Sequence, residues 1–180
     1  MKKLTLILIF AALATTGAFA QKFGHINTAE LVPLMTETDS ARVQLEAYRV
    51  ELVDEMDAMQ TEYNTKLNTY QQKLATWTDA IKTSKETELQ EIVQRLQQFQ
   101  QTAQTDLNNM EQTLMTPIYQ KAQEAINKVS KANNLVYVFD TSSGAIIYTD
   151  ETQTINLLSL VKQELNIPAE KVAPTQLTSE

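Results

Sequence analysis

Apolar residues recur along the middle of the chain at steps of three and four. Leu45, Tyr48, Leu52, Met56, Met59, Tyr63, Leu67, Tyr70, Leu74, Trp77 and Ile81 form one run with a mean step of 3.6. That period predicts a long helix with a single apolar stripe. Tyr48, Met59, Tyr70 and Ile81 lie eleven apart, which fits a straight or slightly right-handed helix rather than a heptad zipper. "KTSKE" then interrupts, with Thr83 and Glu86 spaced as a capping box. The stripe resumes through Leu89, Ile92, Leu96, Phe99, Ala103, Leu107, Met110, Leu114, Ile118, Ala122, Ala125 and Val129. Two stripes of similar length around a start signal predict an antiparallel helical hairpin with its tip near Ile81–Glu86. Each arm would be ~65–70 Å long at 1.5 Å per residue. One continuous rod is the alternative. Thr116-Pro117 lies inside the second arm, where a kink is expected.

Outside the stripes the pattern changes. "KFGHIN", residues 22–27, reads as a strand, followed by Asn27 and Glu30 as a second capping box. Pro33 limits the next helical piece to a short, distorted turn, and Thr38 or Asp39 can cap the long helix. "KANN" closes the second arm, with Asn133 or Asn134 suited to a left-handed cap. "LVYVFDTSSGAIIYTD", residues 135–150, reads as two strands joined by a tight turn at Gly144. Leu135, Tyr137 and Phe139 alternate with Val136 and Val138, so both faces are apolar. A last amphipathic helix is expected from Gln153 to Leu165, with Ile155, Leu158, Val161 and Leu165 on one side and Asn166 and Pro168 as its stop.

The fold class is therefore mainly α with small β: a long helical hairpin on a short-stranded β body. A single chain offers little to cover two apolar sheet faces and two open edges. Closing the sheets into a barrel by self-association covers both. Phe23, Ile26, Val136, Val138, Ile146 and Tyr148 are the candidate body residues for that assembly. Residues 1–20 read as a cleaved signal peptide: Lys2 and Lys3, an apolar run from Leu4 to Leu13, and "AFA" before a cut after Ala20. The run is too short for a transmembrane anchor, which needs about 20 apolar residues. Residues 21–168 form one domain, with a body of 21–38 and 134–168 and arms of 39–133. Residues 169–180 read as a flexible tail.

Charge and composition narrow the function. The formal charge of −7 becomes −9 once Lys2 and Lys3 leave with the signal. An acidic surface argues against nucleic acid as a partner. The chain has no Cys, so packing alone must hold an exported protein together. No catalytic constellation emerges and no cofactor is implied. His25 is the only His and reads as a packed strand residue rather than a metal ligand. The acids on the arms read as solvated helix faces, with pairs such as Glu62–Lys66 supporting the helix. The Met and aromatic stripe reads as packing between the arms. Apolar residues off the stripe are the better candidates for contact with another molecule: Val50, Val53, Val93, Met115 and Tyr119.

The order of these features resembles the Skp/OmpH family of periplasmic chaperones. The features are the signal peptide, "KFGHINTAEL", the long polar hairpin, "TPIYQKAQEAINKVSKANNLVYVFDTSSGAIIYTD" and the terminal helix. The resemblance implies a homotrimer with a small β-barrel body and three helical tentacles around a cavity. It also implies ATP-independent holding of unfolded outer-membrane proteins in the periplasm, with no enzyme activity and no stable membrane insertion. Val50, Val53, Val93, Met115 and Tyr119 would then touch clients. The better-known members are basic, whereas this mature chain is acidic. For acidic clients, holding would rest on apolar and amide contacts, and added salt would leave it unchanged or strengthen it. A local basic patch of Arg42, Lys66, Lys73, Lys82, Lys85 and Arg95 would give the opposite salt response. A structural coiled-coil spacer or adaptor of the cell envelope is the second reading.

Overall fold

The computed structural model describes residues 22–172. The expected signal peptide and the end of the expected tail lie outside the described residues. The described chain runs β1 (Lys22–Ile26), α1 (Thr28–Leu31), a 3-10 turn (Val32–Leu34), α2 (Thr36–Lys73), α3 (Asp79–Ala132), β2 (Leu135–Asp140), β3 (Thr154–Asn156) and α4 (Leu158–Glu164). It is mainly helical with one small sheet. It divides into two compact units: residues 22–31 with 123–171, and Val32–Ala122.

The sheet belongs to the first unit. Its order is β2-β1-β3, and β1 pairs in parallel with both neighbours. The expectation of two strands within 135–150 is corrected here. Residues 145–150 form no strand, and β3 is the three-residue "TIN" at Thr154–Asn156. Ile155 thus sits in a strand, and the last helix begins only at Leu158. Parallel neighbours require a crossover connection rather than a tight turn. Gly144 does adopt the left-handed backbone expected of it, with φ of 69°.

The faces of β2 are corrected as well. The pairing shifts between Lys22↔Leu135 and Phe23↔Tyr137, so Val136 is an extra, bulged residue. A bulge changes which face the following residues point to. Leu135 and Val138 are therefore the half-buried positions of β2, while Val136, Tyr137 and Phe139 are exposed. The core of this unit contains Ile26, Leu31, Leu157 and Val161, each with at most 1% of its surface exposed. Ala125, Ile126 and Val129 from the end of α3 are also buried.

Polar contacts tie this unit's ends. Asn27 Oδ1 accepts from the Glu30 N–H at 3.3 Å, the cap expected for α1. Asp140 reaches the same helix from β2: its carboxylate accepts from the Thr28 N–H (3.2 Å) and the Thr28 hydroxyl (2.6 Å), and also from the Ser142 N–H (2.9 Å). Burial pushes the Asp140 pKa up, but these hydrogen bonds outweigh it and hold the carboxyl below its usual range. Asn134 takes the left-handed conformation (φ 56°) after α3, and Asn166 (φ 55°) after α4.

The second unit is built from α2 and most of α3. Met35, not Thr38 or Asp39, occupies the N-cap position of α2 and makes no side-chain cap. Thr38 lies inside the helix, buried, and its hydroxyl donates to the Val32 carbonyl at 2.6 Å. It satisfies the 3-10 turn that Pro33 creates. The break between helices falls at residues 74–78, so the expected tip at Ile81–Glu86 is corrected. Trp77 lies in the turn, and Thr83 lies within the helix, past its first turn, its carbonyl accepting from the Thr87 hydroxyl. α3 stays helical through Pro117.

The stripe itself faces inward. Every stripe residue from Leu45 to Tyr70 is half-buried, and every one from Leu89 to Ala122 is half-buried or buried. Side chains link the two helices at Glu37–Lys121, Met56–Gln100, Glu62–Arg95, Lys66–Glu88 and Tyr70–Glu86. As the residue number climbs on α2, its partner's number falls on α3.

Candidate functional site

No chemistry-bearing cluster gathers in the described residues. No group of three or more His, Cys, Asp or Glu there is placed to hold a metal ion. His25 is buried, with Nδ1 3.2 Å from the Thr154 hydroxyl, and lines a small cavity beside Asn27, Glu30 and Asn156. The exposed features are apolar, and each unit carries one set.

In the sheet unit the set is aromatic. The Phe23 ring stacks on Tyr137, with centroids 6.3 Å apart and planes 12° from parallel. Phe139 lies 6.3 Å from both. Tyr137 is 61% exposed, and Val136 and Phe139 are exposed beside it. β2 and β3 are both edge strands. Among the body candidates, Phe23, Val138 and Ile146 are half-buried, and Val136 and Tyr148 are exposed. Ile26 is fully buried within one chain, so it belongs to that chain's own core. Sequence reasoning missed Ile147, which at 96% is the most exposed large apolar residue among the described residues. Its neighbours Ile146 and Tyr148 read as strand residues in the sequence, but no strand forms there.

In the helical unit, Val50, Val53, Val93 and Tyr119 are exposed, and Met115 is half-buried. Val43 was missed. The signal was available, because Val43 lies seven residues before Val50 and so on the same side of the helix. The basic residues of the arms are largely neutralised within the chain. Arg42 pairs with Asp39, Lys82 with Asp79, Lys85 with Glu88, Arg95 with Glu62, and Lys66 with both Glu62 and Glu88. Lys66 and Lys85, in that order, hold the Glu88 carboxyl down to about 2. The Glu86 carboxylate beside Tyr70 raises the phenol's pKa.

The family model described as outer membrane protein (OmpH-like) matches residues 22–165. The chain belongs to the OmpH-like family. Among solved structures, an OmpH-like protein of Caulobacter crescentus CB15, described as an outer membrane chaperone, shares the fold. The TM-score is 0.70 at 15% identity, covering 90% of this chain and 96% of that one. No curated protein matches the sequence. Among the described residues of this OmpH-like chain, no helix is long and apolar enough to cross a membrane.

Proposed function

We infer that this OmpH-like protein is an ATP-independent holdase of the periplasm that binds unfolded outer-membrane proteins and keeps them from aggregating. Family membership over residues 22–165 carries this reading. The exposed apolar residues of the helical unit support it, because a holdase must offer apolar side chains to chains that have lost their own core. The signal is cut near Ala20, and α2 and α3 form an antiparallel arm. The descending order of their cross-links supports that pairing. Pro117 lacks an N–H for the helix ladder and serves as a hinge in the arm. Residues 21–38 and 134–168 form the body, and residues 39–133 form the arm.

The body closes by homotrimerisation, with the open edge of β2 and its aromatic face as the joining surface. Val138→Asp would place a charge beside the sheet's apolar side and is expected to dissociate the assembly. Sedimentation that finds the unmutated protein as a folded monomer would refute the closed body. The function is tested with an unfolded outer-membrane barrel diluted out of denaturant. The mature protein is expected to suppress its light scattering in the absence of ATP. Scattering that rises equally with and without the protein would refute the holdase.

A further inference from the structure

We propose that the outward face of α2 around Val43, Val50 and Val53 selects basic segments of unfolded chains, so that the preferred clients are net positive. This rests on the holdase reading and adds the class of polypeptide that is held.

The face is apolar and uncovered. Val43 is 71% exposed, Val50 49% and Val53 43%. Steps of seven and three keep the three on one side of the helix, away from the stripe that meets α3. Acids are interleaved with them: Asp54 lies four residues from Val50 and Asp57 four from Val53, while Glu46, four before Val50, pairs with Arg49 at 3.9 Å.

No base lies among the acids between Val50 and Glu62. From residue 50 to residue 65, α2 carries Glu51, Asp54, Glu55, Asp57 and Glu62, and no Lys or Arg. The Gln100 amide lies 3.7 Å from Met56 Sδ, which sets the matching stretch of α3 alongside. That stretch, residues 96–120, carries Asp106 and Glu111 and again no Lys or Arg. Glu62 alone among these seven acids is in an ion pair, with Lys66 and Arg95. Glu51, Asp54 and Glu55 repel one another at spacings of three and four. Of the bases elsewhere on the arm, Arg42, Arg49, Lys66, Lys82, Lys85, Arg95 and Lys121 each have an acidic partner.

The chemistry that fits is a side chain with an apolar stem and a cationic head. Lys and Arg lay their methylenes on apolar surface while the charged end stays in water. On this face the stems would cover the valines and the heads would reach Asp54 and Asp57. An acidic client segment would meet the same valines against a repulsive field. Screening reaches ~10 Å at 0.1 M salt, so the preference is strong in dilute salt and weak in concentrated salt.

The test uses the full mature chain and two unfolded polypeptides of equal length and mean hydropathy, one net basic and one net acidic. Binding is read by fluorescence anisotropy at 0.05 M and 0.5 M NaCl. The basic chain is expected to bind about tenfold more tightly at low salt, and the gap should close at high salt. The variant E51Q/D54N/E55Q/D57N should erase the gap at low salt. The variant V43S/V50S/V53S should weaken the basic chain at both salts. Equal affinities at low salt, or tighter binding of the acidic chain, would overturn the inference and leave the holdase standing. So would a basic preference that survives the four neutralisations, or unchanged affinity in the serine variant. If neither polypeptide binds, the holdase reading falls and takes this inference with it.

Discussion

The two units keep their shape by different means. The sheet unit contains Ile26, Leu31, Leu157 and Val161 with almost no surface left in water. In the helical unit, the α2 stripe from Leu45 to Tyr70 contains no fully buried residue, and charged pairs such as Glu62–Arg95 at 2.5 Å flank it. Complete burial of a Leu or Val stabilises by about 1.5–3 kcal/mol, and half burial by correspondingly less. Exposed ion pairs add about 0–1 kcal/mol each. The α3 stripe does better only at Ile92, Ile118 and Ala122, which are buried, because one stripe per helix has anything to face. The contrast suits the proposed division of labour, with a firm sheet unit and helices whose local opening costs little.

Hydrogen exchange puts the largest number on this contrast. β1 is paired on both sides and backed by the buried Ile26, so its amides should open only with the whole unit. Residues 74–78 connect two helices and expose Leu74. Amides there are expected to exchange at least about a thousandfold faster than those of β1. Similar protection in the two places would mean that the helical unit is held by more than its stripe.

One substitution made in both units sharpens the comparison. Leu157→Ala empties a fully buried site and should cost about 2–5 kcal/mol. Leu52→Ala removes a half-buried side chain and should cost about 1 kcal/mol. Trp77, the chain's only Trp, lies 6.1 Å from Tyr70 and reports the helical unit by fluorescence. Exchange at β1 reports the other. Equal losses in urea unfolding would erase the distinction.

A methyl group tests the sheet unit from the opposite direction. A Cβ on Gly24 would lie 2.5 Å from Leu157 Cδ1, 2.8 Å from Leu135 Cδ1 and 3.3 Å from the Ile155 carbonyl oxygen. The first neighbour is fully buried, so it has little room to turn. Gly24→Ala should therefore cost about 1–3 kcal/mol. A neutral result in thermal unfolding would show that this core yields more than its burial suggests.

The same contrast explains what could be read in the residues. The stripe read correctly at every position from Leu45 to Tyr70 and from Leu89 onward, because a period of 3.6 over many turns averages out local exceptions. The turn at 74–78 escaped because it holds no Gly or Pro, and Leu74, Trp77 and Ile81 keep the helical period across it. Thr83 and Glu86 then supplied a capping pattern that the helix does not use. In the sheet unit, β3 has three residues, too few for any period to show. The apolar "AIIY" at 145–148 offered a better strand in isolation, but pairing with β1 selects Thr154–Asn156. The bulge at Val136 is likewise a property of two strands and has no signature in one. For the candidate surfaces, Val50 and Val53 were legible as residues off the stripe. Tyr137 and Phe139 were legible as sheet residues only, since their exposure follows from the bulge.

The smallest effect expected concerns charge in the helical unit. Lys66 on α2 and Lys85 one turn away on α3, the latter at 2.7 Å, favour ionised Glu88 and hold its pKa at about 2. In the unfolded chain Glu88 would return to the usual value of ~4.3. A depressed folded pKa stabilises above the unfolded value and stops doing so as pH falls through the folded one. The contribution should therefore be constant from pH 7 to about 5, shrink between about 4 and 2, and vanish below. Glu88 is half-buried at an open helix surface, so solvent still screens the pair and the effect on stability is slight. Glu88→Gln should leave the urea midpoint read by Trp77 almost unchanged at pH 7 and make its decline in acid less steep. Direct titration of the Glu88 carboxyl by NMR gives the sharper reading. A midpoint near 4 would mean that Lys66 does not hold Glu88 in solution, and that the stripe alone joins α2 to α3 at this level.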